Sequence, residues 1–363
     1  MIPSKAMTSI SVEDLTALVA GKVMATKTSI LPFADFTIFM EELLRTFYKP
    51  GSRLVAGGHV TPEMELVANH AEIELVETLG TSPFSSDPES VLAAVSSPQD
   101  LIYVANPNRV TGTGFSLFDL EILAQAIPQG TMFIDEYYFD YYGITGLPLL
   151  DILTNVIIIR SFTASFAISS SDAGFVLANP EVINIIKDSI PGKPLSSTVR
   201  KTMFATLVND EELSSRLRQI HEESLRLIVS LNRLKVQCRI AATDFLLLRV
   251  ADTKSVGNFL ARYRTQVDNL DGYPQLENYL RYQIQPAGQN DRLVEAFKKM
   301  PPDFYLMKST DRRPTTIRRP PVDSREKNSK QENTRGLAPD SFMRCKRESS
   351  GKRKMGVRKK QTV

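Results

Sequence analysis

The sequence predicts an α/β fold: a large domain on a mostly parallel sheet covered by helices on both faces, plus a smaller α+β C-terminal domain. Three observations carry this. Short runs such as Leu101–Ala105 and 156–159 are continuously apolar, as in strands buried on both faces of a parallel sheet. Helix-opening signals fall between those runs, giving the strand–helix alternation of an α/β domain. A long helical stretch then precedes a second, shorter set of strands and helices.

In chain order, residues 1–30 carry no clear pattern and are expected to be an irregular N-terminal segment. Residues 36–48 place Phe36, Phe39, Met40, Leu43, Leu44 and Phe47 on one helical face. Pro50-Gly51 ends that helix and leads into a strand at 53–56. A helix at 62–71 and a strand at 73–76 follow. Asp87 reads as an N-cap with Pro88 in the first turn of the next helix. After the strand at Leu101–Ala105, Ser116-Leu-Phe-Asp119 resembles a capping box and opens a helix to Ala126. Strands are expected at 131–135, 155–159 and 174–177, and helices at 180–190, 196–208 and 211–235. The second unit has strands at 245–250 and 279–284 and helices at 253–264 and 289–300. The domains are therefore expected at 31–235 and 236–305, followed by a basic, disordered tail at 306–363.

Composition narrows the class. The 363 residues carry a net charge of +3. That small value hides an asymmetry: residues 308–363 hold 18 Lys/Arg against 6 Asp/Glu, a net of +12 that leaves the rest at −9. The tail can attract nucleic acid or an acidic partner by electrostatics, or it is a solvated extension. No apolar run is long enough for a membrane span, and the first residues lack a signal-peptide profile. Cys238 and Cys345 lie far apart, and His59, His70 and His221 are scattered, so no metal site is expected. A cytoplasmic setting is the default.

Several motifs occur in a telling order. Asn106-Pro-Asn-Arg-Val-Thr-Gly112 follows the Leu101–Ala105 strand, and Phe133-Ile-Asp-Glu-Tyr-Tyr-Phe139 comes some 20 residues later. Arg160-Ser-Phe-Thr-Ala-Ser-Phe166 and Asp172-Ala-Gly-Phe175 follow, then Asn179-Pro180-Glu181. Tyr279-Leu-Arg-Tyr-Gln-Ile284 and Gln289-Asn-Asp-Arg292 close the series. Together they resemble the class I/II aminotransferases of pyridoxal-phosphate (PLP) fold type I, in particular the histidinol-phosphate aminotransferase and threonine-phosphate decarboxylase group.

The resemblance implies PLP as cofactor, a homodimer and a small amino-acid-like ligand. It places Asp135 beside the pyridine nitrogen, which must stay protonated for the ring to act as an electron sink. Tyr138 falls at the position that hydrogen-bonds the ring hydroxyl, and Arg109 where the family has an asparagine next to that hydroxyl. Arg281 falls at the position that binds the substrate carboxylate, which suits its planar fork. Read without the resemblance, Asp135 caps a turn, Tyr138 is an ordinary half-buried aromatic, and Arg281 is a surface arginine.

The same alignment of motifs implies losses. Ala164 stands where the family has its Schiff-base lysine, and no neighbour supplies an amine. Asp172 replaces a phosphate-binding arginine, Leu31-Pro-Phe-Ala-Asp-Phe36 replaces a glycine-bearing phosphate turn, and Val60 replaces the stacking aromatic. Asp244 and Asp268 stand where an asparagine and an arginine are usual. The expectation is an aminotransferase-like protein that is catalytically impaired or non-catalytic. One alternative is an active PLP-dependent aminotransferase or decarboxylase of amino acids or amino phosphates that holds its cofactor noncovalently. The other is electrostatic binding through the basic tail.

Overall fold

A computed structural model describes residues 10–161, 173–190 and 195–307. Its seven-stranded sheet follows from the apolar runs. The strands are β1 (Ile30–Phe33), β2 (Leu54–Gly57), β3 (Leu75–Thr78), β4 (Leu101–Ala105), β5 (Thr131–Asp135), β6 (Val156–Ser161) and β7 (Gly174–Ala178), in the order β1-β7-β6-β5-β4-β2-β3. Strands β3, β2, β4, β5 and β6 are mutually parallel, and β7 is antiparallel to both neighbours. Every residue of β4 and β5 is buried, as a sheet covered on both faces requires.

Alternation along the strands divides the core in two. Ile102, Val104, Met132, Ile134, Val156 and Ile158 face one layer. Leu101, Tyr103, Phe133, Ile157 and Ile159 face the other, with helices α2 (Phe36–Phe47) and α3 (Pro62–His70). Phe36, Met40, Leu43 and Leu44 form the buried stripe of α2, and Asp35 caps its start by accepting from Ile38 N at 3.0 Å. Helices α4 (Pro88–Ala94) and α5 (Leu117–Ala126) open where expected; the α5 capping box joins Ser116 and Asp119. A short α6 (Phe139–Tyr142) follows β5.

Among the described residues, the expectation of an irregular N-terminal segment is overturned at 12–23. Residues Val12–Val23 form α1, started by a Ser11/Asp14 capping box, and bury Leu15, Val19 and Ala20 in the first core layer. The signal was a capping box ahead of a weakly amphipathic run. Strand β3 also starts two residues later than expected. Glu72 takes a left-handed conformation (φ 59°) and the Ile73 N–H still closes the end of α3 on Ala68 O.

Helices α7 (Pro180–Ser189), α8 (Ser197–Val208) and the long α9 (Asp210–Arg233) lead to the small sheet. Its antiparallel strands are β8 (Gln237–Ile240), β9 (Phe245–Arg249), β10 (Asp268–Asn269) and β11 (Tyr279–Gln283), in the order β10-β11-β9-β8. Helices α10 (Thr253–Arg262), α11 (Ala287–Lys299) and α12 (Pro302–Tyr305) complete the described chain. Strands β8 and β10 are short and polar, so no apolar pattern announced them. Leu246, Leu248, Leu280 and Tyr282 face the small unit's own helices. Phe245 and Leu247 face the opposite way, joining Val110 and Tyr138 of the large unit in a shared cluster. No helix among the described residues is long and apolar enough to cross a membrane.

Candidate functional site

The cleft forms where open α/β sheets place ligands, beyond the C-terminal ends of the central parallel strands. Period-two alternation decides what lines it. Asp135 ends β5 on the same face as Phe133, the face covered by α2 and α3. Register pairs Ala105 with Asp135 and Tyr103 with Phe133, so Tyr103 lies on that face too. Its phenol donates to Asp135 Oδ2 at 2.7 Å, and the Tyr137 backbone N–H donates to Oδ1 at 3.0 Å.

Arg109 completes this group. It sits in the turn after β4, which is stapled by Asn108: its Oδ1 accepts from Val110 N and Thr111 N, and its Nδ2 donates to His59 O. From there Arg109 Nη1 reaches 3.5 Å from Asp135 Oδ2 and 3.3 Å from Glu63 Oε2 on α3. The guanidinium lies between aromatic rings, 4.0 Å from the centroid of Tyr137 and 5.1 Å from that of Phe36. Burial pushes the Asp135 carboxyl above the usual carboxylate range, against the opposing pull of Arg109. Burial opposes the Arg109 charge as well, but Asp135, Tyr103 and Glu63 together hold its proton more tightly than usual.

Arg281 arrives from the small unit. On β11 it pairs across from Leu247, which puts it on the strand face turned toward the large sheet. Its Nη1 donates to the Arg109 carbonyl at 3.0 Å, its Nε lies 3.3 Å from Asp268, and its guanidinium stacks over Phe245. Tyr138 is buried edge-on against Tyr137 and Phe245, and the Asp244 carboxylate accepts from Gln283 Nε2 at 2.9 Å. Burial raises the Asp244 carboxyl despite Arg281 nearby.

Of the residues singled out in the sequence, Asp135 and Arg109 meet directly, and Arg281 reaches the Arg109 backbone. Tyr138 belongs to a separate contact between the two units. Ala164 and Asp172 lie outside the described residues. Sequence reasoning missed Tyr103, Glu63, Phe36 and Tyr137. Tyr103 could be found from alternation once the β4–β5 register was known; Glu63 needed the placement of α3.

The Aminotransferase class I and II family matches residues 11–297. The chain belongs to that family. Among curated class I and II aminotransferases, the histidinol-phosphate aminotransferase of Chlorobaculum tepidum is 29% identical over 230 residues, which cover 62% of this chain and 66% of that enzyme. The chain spans less than two thirds of the length of the curated relatives from Chlorobaculum tepidum, Legionella pneumophila and Caldanaerobacter subterraneus, 57% to 66%. The fold is that of solved histidinol-phosphate aminotransferases. The Clostridium acetobutylicum structure superposes with a TM-score of 0.72 at 16% identity, covering 81% of this chain and 91% of that one. The Sinorhizobium meliloti structure, a complex with pyridoxal 5'-phosphate, gives 0.68 at 17% identity, covering 81% and 84%.

Proposed function

We propose that this class I and II aminotransferase is a non-transaminating member of its family, whose cleft is closed to a pyridoxal ring by its own side chains. One observation carries the reading: the Asp135 carboxylate is already engaged by Tyr103, the Tyr137 N–H and the Arg109 guanidinium. A ring nitrogen seeking that carboxylate would have to displace a buried cation. Two further features agree. Asp35 caps α2 with its own carboxylate at the helix end that the resemblance assigns to phosphate, where a second anion is repelled. The Tyr138 ring is buried edge-on against Tyr137, Tyr141 and Phe245 rather than open to a ring hydroxyl. The residues present therefore do not fit PLP, and no step is derived through it.

Sequence supplies the complementary argument. At the position the resemblance assigns to the Schiff-base lysine, Ala164 offers no amine to tether a cofactor or carry a proton. The test is spectroscopic: protein incubated with PLP is expected to give no band near about 420 nm and no borohydride-trapped adduct at the cleft, as follows without a tethering amine. A yellow, reducible adduct mapped to the cleft would sink the reading.

Arg281 favours a second reading, an enzyme of amino acids or amino phosphates that holds PLP noncovalently. Its contact with the Arg109 backbone brings a carboxylate-binding fork to the cleft. Turnover lost in Asp135→Asn would support it; no turnover in the wild type would reject it. Homodimerisation and a cytoplasmic setting belong to both readings. Recognition of nucleic acid or an acidic surface by residues 306–363 is a separate possibility, decided by salt-sensitive binding before and after their deletion.

A further inference from the structure

We infer that Arg109 is a resident ligand of its own cleft: its guanidinium fills a site built for a planar cation by Glu63, Asp135, Phe36 and Tyr137. The inference deepens the proposed function and rests on it for its meaning, not for its geometry.

The four walls come from three separate segments, which is what a preformed site requires. Phe36 opens α2, Glu63 lies in the first turn of α3, Asp135 ends β5 and Tyr137 follows it. Two carboxylates stand at 3.3 and 3.5 Å from one guanidinium nitrogen, and two rings lie at 4.0 and 5.1 Å from its carbon. Flat, delocalised and weakly hydrated, a guanidinium suits an aromatic slot with carboxylates at its edge; an ammonium, compact and strongly hydrated, does not. The arginine itself comes from a fourth segment, the turn after β4. Its carbonyl is held by Arg281, and the turn around it by the Asn108 bonds to Val110 N and Thr111 N. Wall and occupant are thus separable. Truncating Arg109 leaves an acidic, aromatic-sided hole with the Asp135 carboxylate buried beside it.

A hole of that kind can be refilled from solution. Thermal unfolding of full-length Arg109→Ala, with no PLP present, is expected at a lower temperature than that of the wild type. Millimolar N-ethylguanidinium should raise it saturably while leaving the wild type unchanged. Ethylammonium at equal ionic strength, and the uncharged N-ethylurea, should not reproduce the shift. Adding Asp135→Asn to Arg109→Ala should abolish the response. An Arg109→Ala protein that ignores ethylguanidinium, or responds equally to ethylammonium, overturns the inference. Should Arg109→Ala fail to fold, Arg109→Ala/Asp135→Asn decides: a folded double variant supports the inference, and one as unfolded as the single variant overturns it. Turnover by the wild type would instead defeat the proposed function and leave the melts unaffected.

Discussion

Two arginine–carboxylate pairs end neighbouring strands of the large sheet, and they are built differently. Asp135 and Glu136 are consecutive, so alternation sends them to opposite faces. Glu136 meets Arg160 of β6 with Nε to Oε2 at 2.7 Å, and its oxygens also accept from Gly146 N and the Thr145 hydroxyl. Arg160 donates to Thr145 as well and stacks over the Phe139 ring at 3.7 Å. That pair is short, buried and fully bonded. Asp135 meets Arg109 at 3.5 Å, and the guanidinium is shared with Glu63 and two rings. The first pair fastens the end of β6 to the loop after β5. The second sits at the mouth of the strands, where a ligand would be, and is held as much by its walls as by direct contact.

The largest effect should come from breaking the tight pair. Arg160→Met leaves Glu136 buried with an unpaired charge, and a loss of about 3–5 kcal/mol is expected from urea unfolding at pH 7. A loss under about 1 kcal/mol would mean that water reaches Glu136 and that the two pairs are alike. The looser pair is probed from beneath. Tyr103→Phe removes the hydroxyl that donates to Asp135 at 2.7 Å, and a loss of about 1.5–3 kcal/mol is expected, the range for a hydrogen bond to a charged group. An unchanged midpoint would show that Arg109 and the Tyr137 N–H satisfy the carboxylate without Tyr103.

A third carboxylate marks the far end of the scale. Asp244 accepts a hydrogen bond from Gln283 Nε2, with Arg281 and Arg216 contributing through their charge. Its carboxyl is raised above its ordinary value near 3.8. The fold therefore binds this proton more tightly than the unfolded chain does. That contribution is fully present below about pH 4 and is lost as pH rises through the folded-state value. Asp244→Asn, which cannot ionise, should gain on the wild type as pH rises from 4 to 7, by about 1.4 kcal/mol for each unit of the shift. A difference independent of pH would show that Asp244 ionises as it does in water.

These pairs also divide what the sequence made legible from what it did not. Apolar runs located the central strands, because a strand buried on both faces has few other options. Asn106-Pro-Asn-Arg and Phe133-Ile-Asp-Glu marked two turns at the ends of β4 and β5, which singled out Arg109 and Asp135, as Tyr279-Leu-Arg-Tyr singled out Arg281. Their pairing was not legible. The partners of Arg109 lie on α2, on α3 and at the end of β5 and its following turn, and only tertiary packing brings Phe36, Glu63 and Tyr137 around it. Tyr103 was hidden for a simpler reason: it sits inside an apolar strand and reads as core. Strands β8 and β10 escaped because short, polar edge strands carry little periodicity.

The central claim is that the cleft is already filled by the molecule's own charges. Equilibrium dialysis of the wild type against PLP, without reductant, tests it most directly. The account predicts no saturable one-to-one binding up to roughly 100 μM, a ceiling that corresponds to less than about 5.5 kcal/mol of binding free energy. Stoichiometric binding well below that concentration, lost on Asp135→Asn, would contradict it.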